Sequence, residues 1–389
     1  MSIYLDNSAT TKIRAEALQK YIEVSEGCFG NPSSLHGMGF LAEKELDTAR
    51  KNILLSVGER VGEVIFTASG TEANNLAILG RAYSKERYRS GKRIITTEGE
   101  HASVDEPLSK LEKEGFEIVK IPTQGGTLDM DALRAALTPS VILVTMMMVN
   151  NETGALYDIE KVSKLVHASS PEALLHIDAT QGYLKIPFTK KKLGADMITV
   201  SSHKIEGPKG VGALIVDSAV MKARGLCAVT LGGGQEKGLR SGTENVPAIA
   251  AFGEAVKLGA AECRESYFTL CQLRKSLVLG IAEDEALSEV IINEPPVYAP
   301  HIVNLTLPGI KSETMLHFLS SEGIFVSSGS ACSSNSAHLS SALLAFGKTE
   351  AEADCSIRVS LSKRNTYDDV QAFLIALKAG LSRLARIKK

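Results

Sequence analysis

The sequence places one thiol, Cys332, among small polar residues in the segment FVSSGSACSSNS at positions 325–336. Structural cysteines usually lie in apolar runs, where they pack as small hydrophobes. A cysteine without such neighbours is expected to be exposed, and an exposed, partly ionised thiol is a nucleophile. Serine-rich segments are also often ordinary loops, so this stretch alone leaves both interpretations open.

A second reactive side chain is Lys204, in the segment SSHKIEGPKG at positions 201–210. The pattern puts this lysine in a tight turn directly after an apolar strand. Partial desolvation there would favour the neutral amine, which suits Schiff-base chemistry. The alternative is a surface lysine in a loop.

Other polar residues follow predicted strands. ASGTEANN (68–75) indicates a turn into a helix, which is either an anion site built from backbone N–H groups and the Thr71 hydroxyl or a helix cap without a ligand. His101, Asp178 and Gln181 follow two further strands, and ligand groups gather beyond the carboxyl ends of strands in open α/β sheets. A lysine for an aldehyde, a carboxylate for a pyridine nitrogen and donors for a phosphate together suit pyridoxal 5'-phosphate.

Seven short β-rich runs alternate with longer helical patterns, which predicts an α/β fold with a mainly parallel central sheet. Only HKIEGPK separates the last two runs, so they pair antiparallel or lie apart in the sheet. The runs are 63–67, 93–97, 117–121, 141–149, 174–178, 197–202 and 210–216.

The remainder of the chain predicts a smaller α+β unit. A helical pattern runs from about 247 to about 283, and the strand-like runs VNLTL, IFVS and SIRVSL follow it, interleaved with helices. We expect the start of the chain to pack onto this unit. The predicted domains are therefore 15–255, which would bind the cofactor, and 1–14 with 256–389, which would carry the Cys332 loop.

Composition limits the classes of function. The 389 residues have a net charge of -2, so bulk charge gives no reason to expect binding of nucleic acid or of an anionic membrane. The longest apolar run is far shorter than a membrane span, and the N-terminus lacks a signal-peptide pattern, so we expect a cytoplasmic protein. The six cysteines form no C-x-x-C pair, which argues against disulfides and against a metal site.

Motifs along nearly the whole chain resemble the cysteine desulfurases of the NifS/IscS type, in the pyridoxal-phosphate-dependent class V aminotransferase family. They are YLDNSATT, GNPSSLH, FTASGTEANNLAI, NNETG, HIDATQ, SSHKIEGPKGVGALIV, GGGQEKGLRSGTEN, SSGSACSS and SIRVSLSK. The resemblance implies the fold type I of pyridoxal-phosphate-dependent transferases, with a large domain and a smaller one.

The resemblance also implies roles around the cofactor ring. Lys204 would form the Schiff base and later move the Cα proton, and Asp178 would pair with the pyridine nitrogen. Gln181 would contact the phenolic oxygen, while His101 would stack on the ring and shuttle protons. Asn151 would contact the cofactor and, with Arg358, bind the substrate carboxylate.

The implied phosphate site has two parts. Gly70, Thr71, Ser201 and His203 would hold the phosphate within one subunit. Thr243 would reach the phosphate of the other subunit's cofactor, which implies a homodimer.

For Cys332, the resemblance implies that its thiolate collects sulfur from L-cysteine as a persulfide, leaving L-alanine. The sulfur would pass to an acceptor protein, such as an iron–sulfur scaffold, for iron–sulfur cluster or thio-cofactor assembly. Two departures from the family pattern, Glu206 in KIEGPKG and ATQGYLKI in place of ATQSVGKI, are expected to alter the rim of the site.

Other functions remain open on sequence grounds. The same fold could serve a selenocysteine lyase or another class V lyase or aminotransferase, because fold does not fix function. A catalytically silent binding partner is a further alternative, against which the presence of both Lys204 and Cys332 argues.

Overall fold

The computed structural model describes residues 2–84, 91–328 and 340–384. Cys332 lies outside these residues. The chain forms an α/β fold in which a seven-stranded sheet carries most of the polar residues singled out above. No helix in the described ranges is both long and apolar enough to cross a membrane.

All seven predicted strands form. Each consists mainly of apolar and β-branched residues, and every residue of the strand 141–147 is buried, as expected for an inner strand covered on both faces. The strands are β2 (Glu63–Thr67), β3 (Arg93–Thr97), β4 (Glu117–Ile121), β5 (Val141–Met147), β6 (Leu174–Asp178), β7 (Met197–Ser201) and β8 (Gly212–Val216).

The sheet has the order β2-β8-β7-β6-β5-β3-β4. Strand β8 is antiparallel to both of its neighbours, β7 and β2, while the pairs between β7 and β4 are parallel. The structure therefore settles the alternative left open for the last two runs, which pair antiparallel. Because six strands share one direction, their carboxyl ends meet at one edge.

Helices cover the sheet and connect its strands. Several begin with a side-chain cap, such as Ser69, whose hydroxyl accepts a hydrogen bond from the backbone of Glu72. In the first part of the chain they are α1 (Ala15–Gly27), α2 (Gly37–Ser56), α3 (Gly70–Tyr83), α4 (Ala102–Lys113), α5 (Met130–Ala136), α6 (Ile159–Ser169), α7 (Lys190–Leu193) and α8 (Ser218–Lys222).

A second, four-stranded sheet has the order β12 (Ser327–Ser328), β13 (Ser356–Ser360), β10 (Ile302–Thr306) and β9 (Ile291–Ile292). The strand β1 (Ile3–Tyr4) pairs in parallel with β11 (Ile324–Phe325). The start of the chain thus packs where the sequence predicts. The remaining elements are α9 (Val246–Ala282), α10 (Ser312–Ser321), α11 (Ser341–Ala345), α12 (Glu350–Asp354) and α13 (Tyr367–Arg383).

Helix α9 contributes to two hydrophobic cores. Its first third, including Phe252, packs in the core beneath the seven-stranded sheet. Its last third, including Leu277, packs with the four-stranded sheet and with Phe373 of α13. The predicted domain boundary at 255 falls within this helix, and the division into domains stays a prediction.

Candidate active site

A cleft of about 250 Å³ lies beyond the carboxyl ends of the parallel strands. It collects nearly all of the predicted site residues, which come from segments far apart in the sequence. Its lining comprises Ser8, Ala9, Ser69, Gly70, Thr71, Asn74, His101, Ser103, Met147, Val149, Asn151, Asp178, Thr180, Gln181, Ser201, His203, Lys204 and Arg358.

One end of the cleft is formed by the N-terminus of α3. The first N–H groups of a helix lack intrahelical acceptors and favour anions, so Gly70 and Thr71 present donors here. A Cβ atom on Gly70 would lie 3.2 Å from Cβ of Ser201 and 3.3 Å from Oγ1 of Thr180, so a side chain there would crowd both residues. The structure thus places two of the predicted phosphate residues beside a third, Ser201.

Lys204 lies in the single 3₁₀ turn Ser202–Lys204 that directly follows β7. Its Nζ donates hydrogen bonds to the backbone carbonyls of Ser8 at 2.5 Å and Ala9 at 2.8 Å. The N-terminal segment therefore fixes the lysine that the sequence singled out, and this lysine is not a solvated surface residue.

The turn after Lys204 contains Glu206, one of the departures from the family pattern. Glu206 has a left-handed backbone (φ 63°), which is uncommon for a residue other than glycine. Its buried carboxylate pairs with Arg364 and, at 3.2 Å, with Lys363. These ion pairs tie the Lys204 turn to the chain that follows β13.

Asp178 is the last residue of β6 and is 7% exposed. One carboxylate oxygen accepts a hydrogen bond from the backbone of Thr180 at 2.9 Å, and the other accepts one from Nδ2 of Asn74 at 2.7 Å. Gln181 lies one turn further on, and its Nε2 donates to the carbonyl of Ser8 at 2.9 Å. The carboxylate predicted for a pyridine nitrogen is thus held from two sides.

His101 is the N-cap residue of α4, and its Nδ1 accepts from the backbone N–H of Ser103 at 3.1 Å. Burial lowers the pKa of His101, the Asp178 carboxylate opposes this effect, and Lys204 adds to it. The ring is therefore neutral near physiological pH. A neutral ring can stack on an aromatic cofactor without bringing a further charge into the site.

Arg358 lies on β13 and is 5% exposed. Its guanidinium donates to Asp6 at 2.8 Å and to the backbone carbonyl of Asn151 at 2.9 Å. The residues predicted to bind the substrate carboxylate, Asn151 and Arg358, are therefore adjacent. The hydrogen bond to Asp6 holds the Arg358 guanidinium beside Asn151.

Two basic side chains beside the cleft, Lys185 and His203, have lowered pKa values. Burial, with help from Lys204 and Arg358, lowers the pKa of Lys185 to about 7, and the Lys185 amine lies 3.4 Å from Oε1 of Gln181. Burial, together with Lys204, Lys209 and Lys185, also lowers the pKa of His203 to about 4, so this histidine is neutral. The residue before Lys185, Leu184, has φ 57°, a second left-handed conformation next to the site.

The polar atoms of the cleft fit pyridoxal 5'-phosphate. Five buried side-chain atoms of its lining have no hydrogen-bond partner among the described residues: Ser8 Oγ, Asn74 Oδ1, Asn151 Oδ1, Ser201 Oγ and Arg358 Nε. Buried polar atoms are normally paired, so such a cluster is expected where a polar ligand binds. A helix N-terminus, a carboxylate and a lysine supply the matching groups for phosphate, ring nitrogen and aldehyde.

Two predicted residues lie elsewhere. Thr243 is exposed and lines a separate cavity of about 170 Å³ with Glu236 and Arg240. Its predicted contact is to a second subunit and stays a prediction. Cys332 lies outside the described residues.

Several cleft residues were given no role by the sequence analysis. Ser8 and Ala9 belong to the quoted YLDNSATT motif, Asn74 to ASGTEANN, and Ser103 follows His101 by two positions. For the first three residues the signal was their place in a motif, and for Ser103 it was its position beside His101. Their contacts depend on segments that meet only in the fold.

Comparisons with known proteins agree with this geometry. Residues 3–373 match the family model described as aminotransferase class-V. The chain is 37% identical to cysteine desulfurase IscS 1 of Archaeoglobus fulgidus over 98% of its length and 97% of the relative. It is 38% identical to cysteine desulfurase IscS of Edwardsiella ictaluri over 100% and 94%, respectively.

A solved structure of a NifS-like protein matches with a TM-score of 0.90 and 33% identity, covering 99% of this chain and 100% of the other. Family and fold predictions are therefore confirmed. From its full-length match and the residues gathered in its cleft, the chain belongs to the class V aminotransferase family.

Proposed function

We propose that the protein is a pyridoxal-phosphate-dependent cysteine desulfurase, which converts L-cysteine and a protein thiol into L-alanine and a protein persulfide. One observation carries this proposal: Lys204, Asp178, Gln181 and Arg358 converge on one cleft in a chain whose full-length relatives are named cysteine desulfurases. The reaction balances, because the sulfur that leaves L-cysteine is the sulfur gained by the thiol.

When bound, pyridoxal phosphate supplies an aldehyde that captures amino groups and a protonated ring that withdraws electrons from the substrate Cα. Asp178 keeps the ring nitrogen protonated, and the donors from Asn74 and Thr180 hold this carboxylate in place. Gly70, Thr71, Ser201 and His203 hold the phosphate, and His203 does so as a neutral ring.

Lys204 moves the proton at the substrate Cα. Its amine lies against the carbonyls of Ser8 and Ala9, which set the position from which it reaches that carbon. Arg358 and Asn151 orient the substrate by its carboxylate. A guanidinium bridged to Asp6 is already ordered, so less conformational entropy is lost when the carboxylate binds.

Cys332 accepts the substrate's sulfur. Among the described cysteines, burial raises the pKa of Cys263 and of Cys355, which disfavours their thiolates. The sequence around Cys332 consists mostly of serine and other small residues, a composition that favours a nucleophilic thiol.

A homodimer is part of the proposal, with Thr243 reaching the partner's phosphate site. Phe29, Leu35 and Phe40 support it, because these three large apolar side chains lie within twelve positions of one another and each is at least 66% exposed, a concentration typical of an interaction surface. The sulfur acceptor is a further protein, in iron–sulfur cluster or thio-cofactor assembly. A cytoplasmic location stays a prediction.

One experiment tests the function. Purified protein with bound pyridoxal phosphate is incubated with L-cysteine and a reductant, and sulfide and alanine are measured together. Equal amounts support the desulfurase. Alanine formation from L-selenocysteine, with none from L-cysteine, would instead support the alternative selenocysteine lyase, and pyruvate in place of alanine would indicate another lyase.

A further inference from the structure

A chain of three hydrogen bonds joins Asp178 to His101 through two residues to which the sequence analysis gave no role. Nδ2 of Asn74 lies 2.7 Å from Asp178 Oδ2 and 2.9 Å from the Ser103 hydroxyl. That hydroxyl lies 2.8 Å from Nδ1 of His101. Asn74 is 1% exposed, and Asp178 and Ser103 are each 7% exposed, so these bonds do not compete with bulk water.

The direction of each bond follows from the inventory of donors. A carboxylate only accepts, so Asn74 must turn its NH₂ group, and not its carbonyl, toward Asp178. That nitrogen has two hydrogens, and the second one points to the Ser103 hydroxyl oxygen. The Ser103 hydroxyl accepts from Asn74, which leaves its own proton available to donate to Nδ1 of His101.

A second donor acts on the same nitrogen. The backbone N–H of Ser103 also lies 3.1 Å from Nδ1 of His101. A nitrogen that accepts from two donors carries no proton of its own. In a neutral imidazole the proton then lies on the other nitrogen, Nε2.

We propose that Asn74 and Ser103 are positioning residues that transmit the orientation of the Asp178 carboxylate to His101 and hold its ring in the tautomer protonated on Nε2. The proposal rests on the proposed function, since His101 acts there on the bound cofactor. The proton that His101 can give in the cleft is then the one on Nε2, and Nδ1 takes no part in proton transfer.

The charges around His101 agree with this assignment. Burial lowers its pKa, Asp178 and Asp105 raise it, and Lys204 lowers it. Protonation at Nδ1 would set its N–H against the backbone N–H of Ser103, which cannot rotate, and would require the Ser103 hydroxyl to turn its proton away. The relay therefore adds to the effect of burial in keeping the ring neutral.

The test is ¹⁵N NMR of the histidines in the pyridoxal-phosphate-loaded protein, with His101 assigned by its absence in a His101→Gln variant. In the wild type, Nδ1 of His101 should resonate as an unprotonated nitrogen and Nε2 as a protonated one. Ser103→Ala removes a donor to Nδ1 and should raise the titration midpoint of His101 by about half to one pH unit. Ser103→Thr keeps the hydroxyl and should restore the wild-type midpoint.

Asn74→Asp keeps the side-chain shape but places a second carboxyl group 2.7 Å from Asp178, so the two carboxyl groups share one proton. The oxygen that replaces Nδ2 accepts the Ser103 proton, which withdraws this donor from Nδ1 of His101, and the midpoint should rise at least as far as in Ser103→Ala. Asn75→Asp is the matched control: it makes the same substitution one residue along α3, where the side chain bonds to the carbonyl of Thr71 and not to the relay. It should move the midpoint less than half as far.

Three results would overturn the proposal: a proton on Nδ1 in the wild type, a midpoint unchanged in Ser103→Ala, or equal shifts in Asn74→Asp and Asn75→Asp. A failure of the proposed function looks different, since the wild-type protein would then fail to bind pyridoxal phosphate or to release alanine. The tautomer of His101 can then be measured in the protein without cofactor, because the relay consists of protein groups alone.

Discussion

The guanidinium of Arg358 donates a hydrogen bond of 2.8 Å to Asp6, which lies 352 positions earlier in the chain. The pair links the first residues of the protein to the strand β13 at the wall of the cleft. Arg358 is nearly fully buried, so its charge depends on this partner.

Asp6→Asn should therefore weaken both folding and substrate binding. Loss of the counter-charge should lower the free energy of unfolding by about 1–3 kcal/mol, and a displaced guanidinium should raise KM for L-cysteine more than it lowers kcat. Urea unfolding and steady-state kinetics measure the two effects. Asp131→Asn, which breaks the exposed pair with Arg134, is the control and should change neither. Equal behaviour of the two variants would contradict the role given to Asp6.

Lys204→Ala should abolish turnover, because the variant lacks the amine that moves the Cα proton. Pyridoxal phosphate should still bind through Asp178 and the phosphate donors, but borohydride should no longer fix it to the protein. Peptide mapping of the reduced wild type should find it on Lys204. Lys209→Ala, which changes an exposed lysine of the same loop, should keep activity. Cofactor attached to any other lysine would refute the assignment.

Cys332→Ser should separate binding from sulfur transfer. The variant keeps Lys204, Asp178 and Arg358, so L-cysteine should still change the cofactor's absorption spectrum. Release of sulfide should fail, because a serine hydroxyl is scarcely ionised near neutral pH, whereas a thiol with a pKa of about 8.5 is partly thiolate. Mass spectrometry of wild-type protein treated with L-cysteine should find one extra sulfur on the Cys332 peptide.

The other cysteines provide the control for this prediction. Cys355 is buried and Cys28, Cys227, Cys263 and Cys271 are partly exposed, and none should carry the extra sulfur stably. A serine variant of Cys332 that releases sulfide at the wild-type rate would mean that the enzyme expels sulfide directly.

Glu100→Gln should make stability less dependent on pH. Glu100 is 3% exposed, and burial raises its pKa from 4.5 to about 8, with smaller effects of Asp178 and Asp105 in the same direction. Its folded-state pKa lies above the unfolded one, so its contribution to stability is complete below 4.5 and is lost as the pH rises toward 8.

Glutamine has the shape of the protonated acid and can still accept from Thr97 and Met147. The variant should match the wild type at about pH 5 and exceed its stability at about pH 8, as measured by urea unfolding of the cofactor-loaded protein. Glu112→Gln, at an exposed position of α4, should give no such difference. A gap between Glu100→Gln and wild type that narrows with rising pH would contradict the buried, protonated carboxyl.

The strands and the main site residues could be predicted from sequence because their signals are local. A buried parallel strand is a short continuous apolar run, and the polar residue that ends it lies at the ligand-binding edge of the sheet. Asp178, His101 and Lys204 follow from this rule, and the structure brings them together. Their assigned roles come from the family resemblance and stay predictions.

Other features depended on contacts between distant segments. The sequence of β8 does not show whether this strand pairs antiparallel with β7 or lies elsewhere in the sheet. The direction of a strand relative to its neighbour is set by the hydrogen bonds between the two strands. Nor does the sequence indicate that the Ser8 carbonyl receives Lys204 and Gln181, or that Asn74 bridges Asp178 and Ser103.

The sequence by itself therefore determined the family, the strands and the residue types available for the chemistry, since apolar periodicity and short motifs are properties of neighbouring residues. Only the tertiary structure decided which donor faces which acceptor. The direction of a hydrogen bond requires two groups within about 3 Å. In this protein those groups come from the N-terminus, from α3, from the start of α4 and from the ends of β6 and β7.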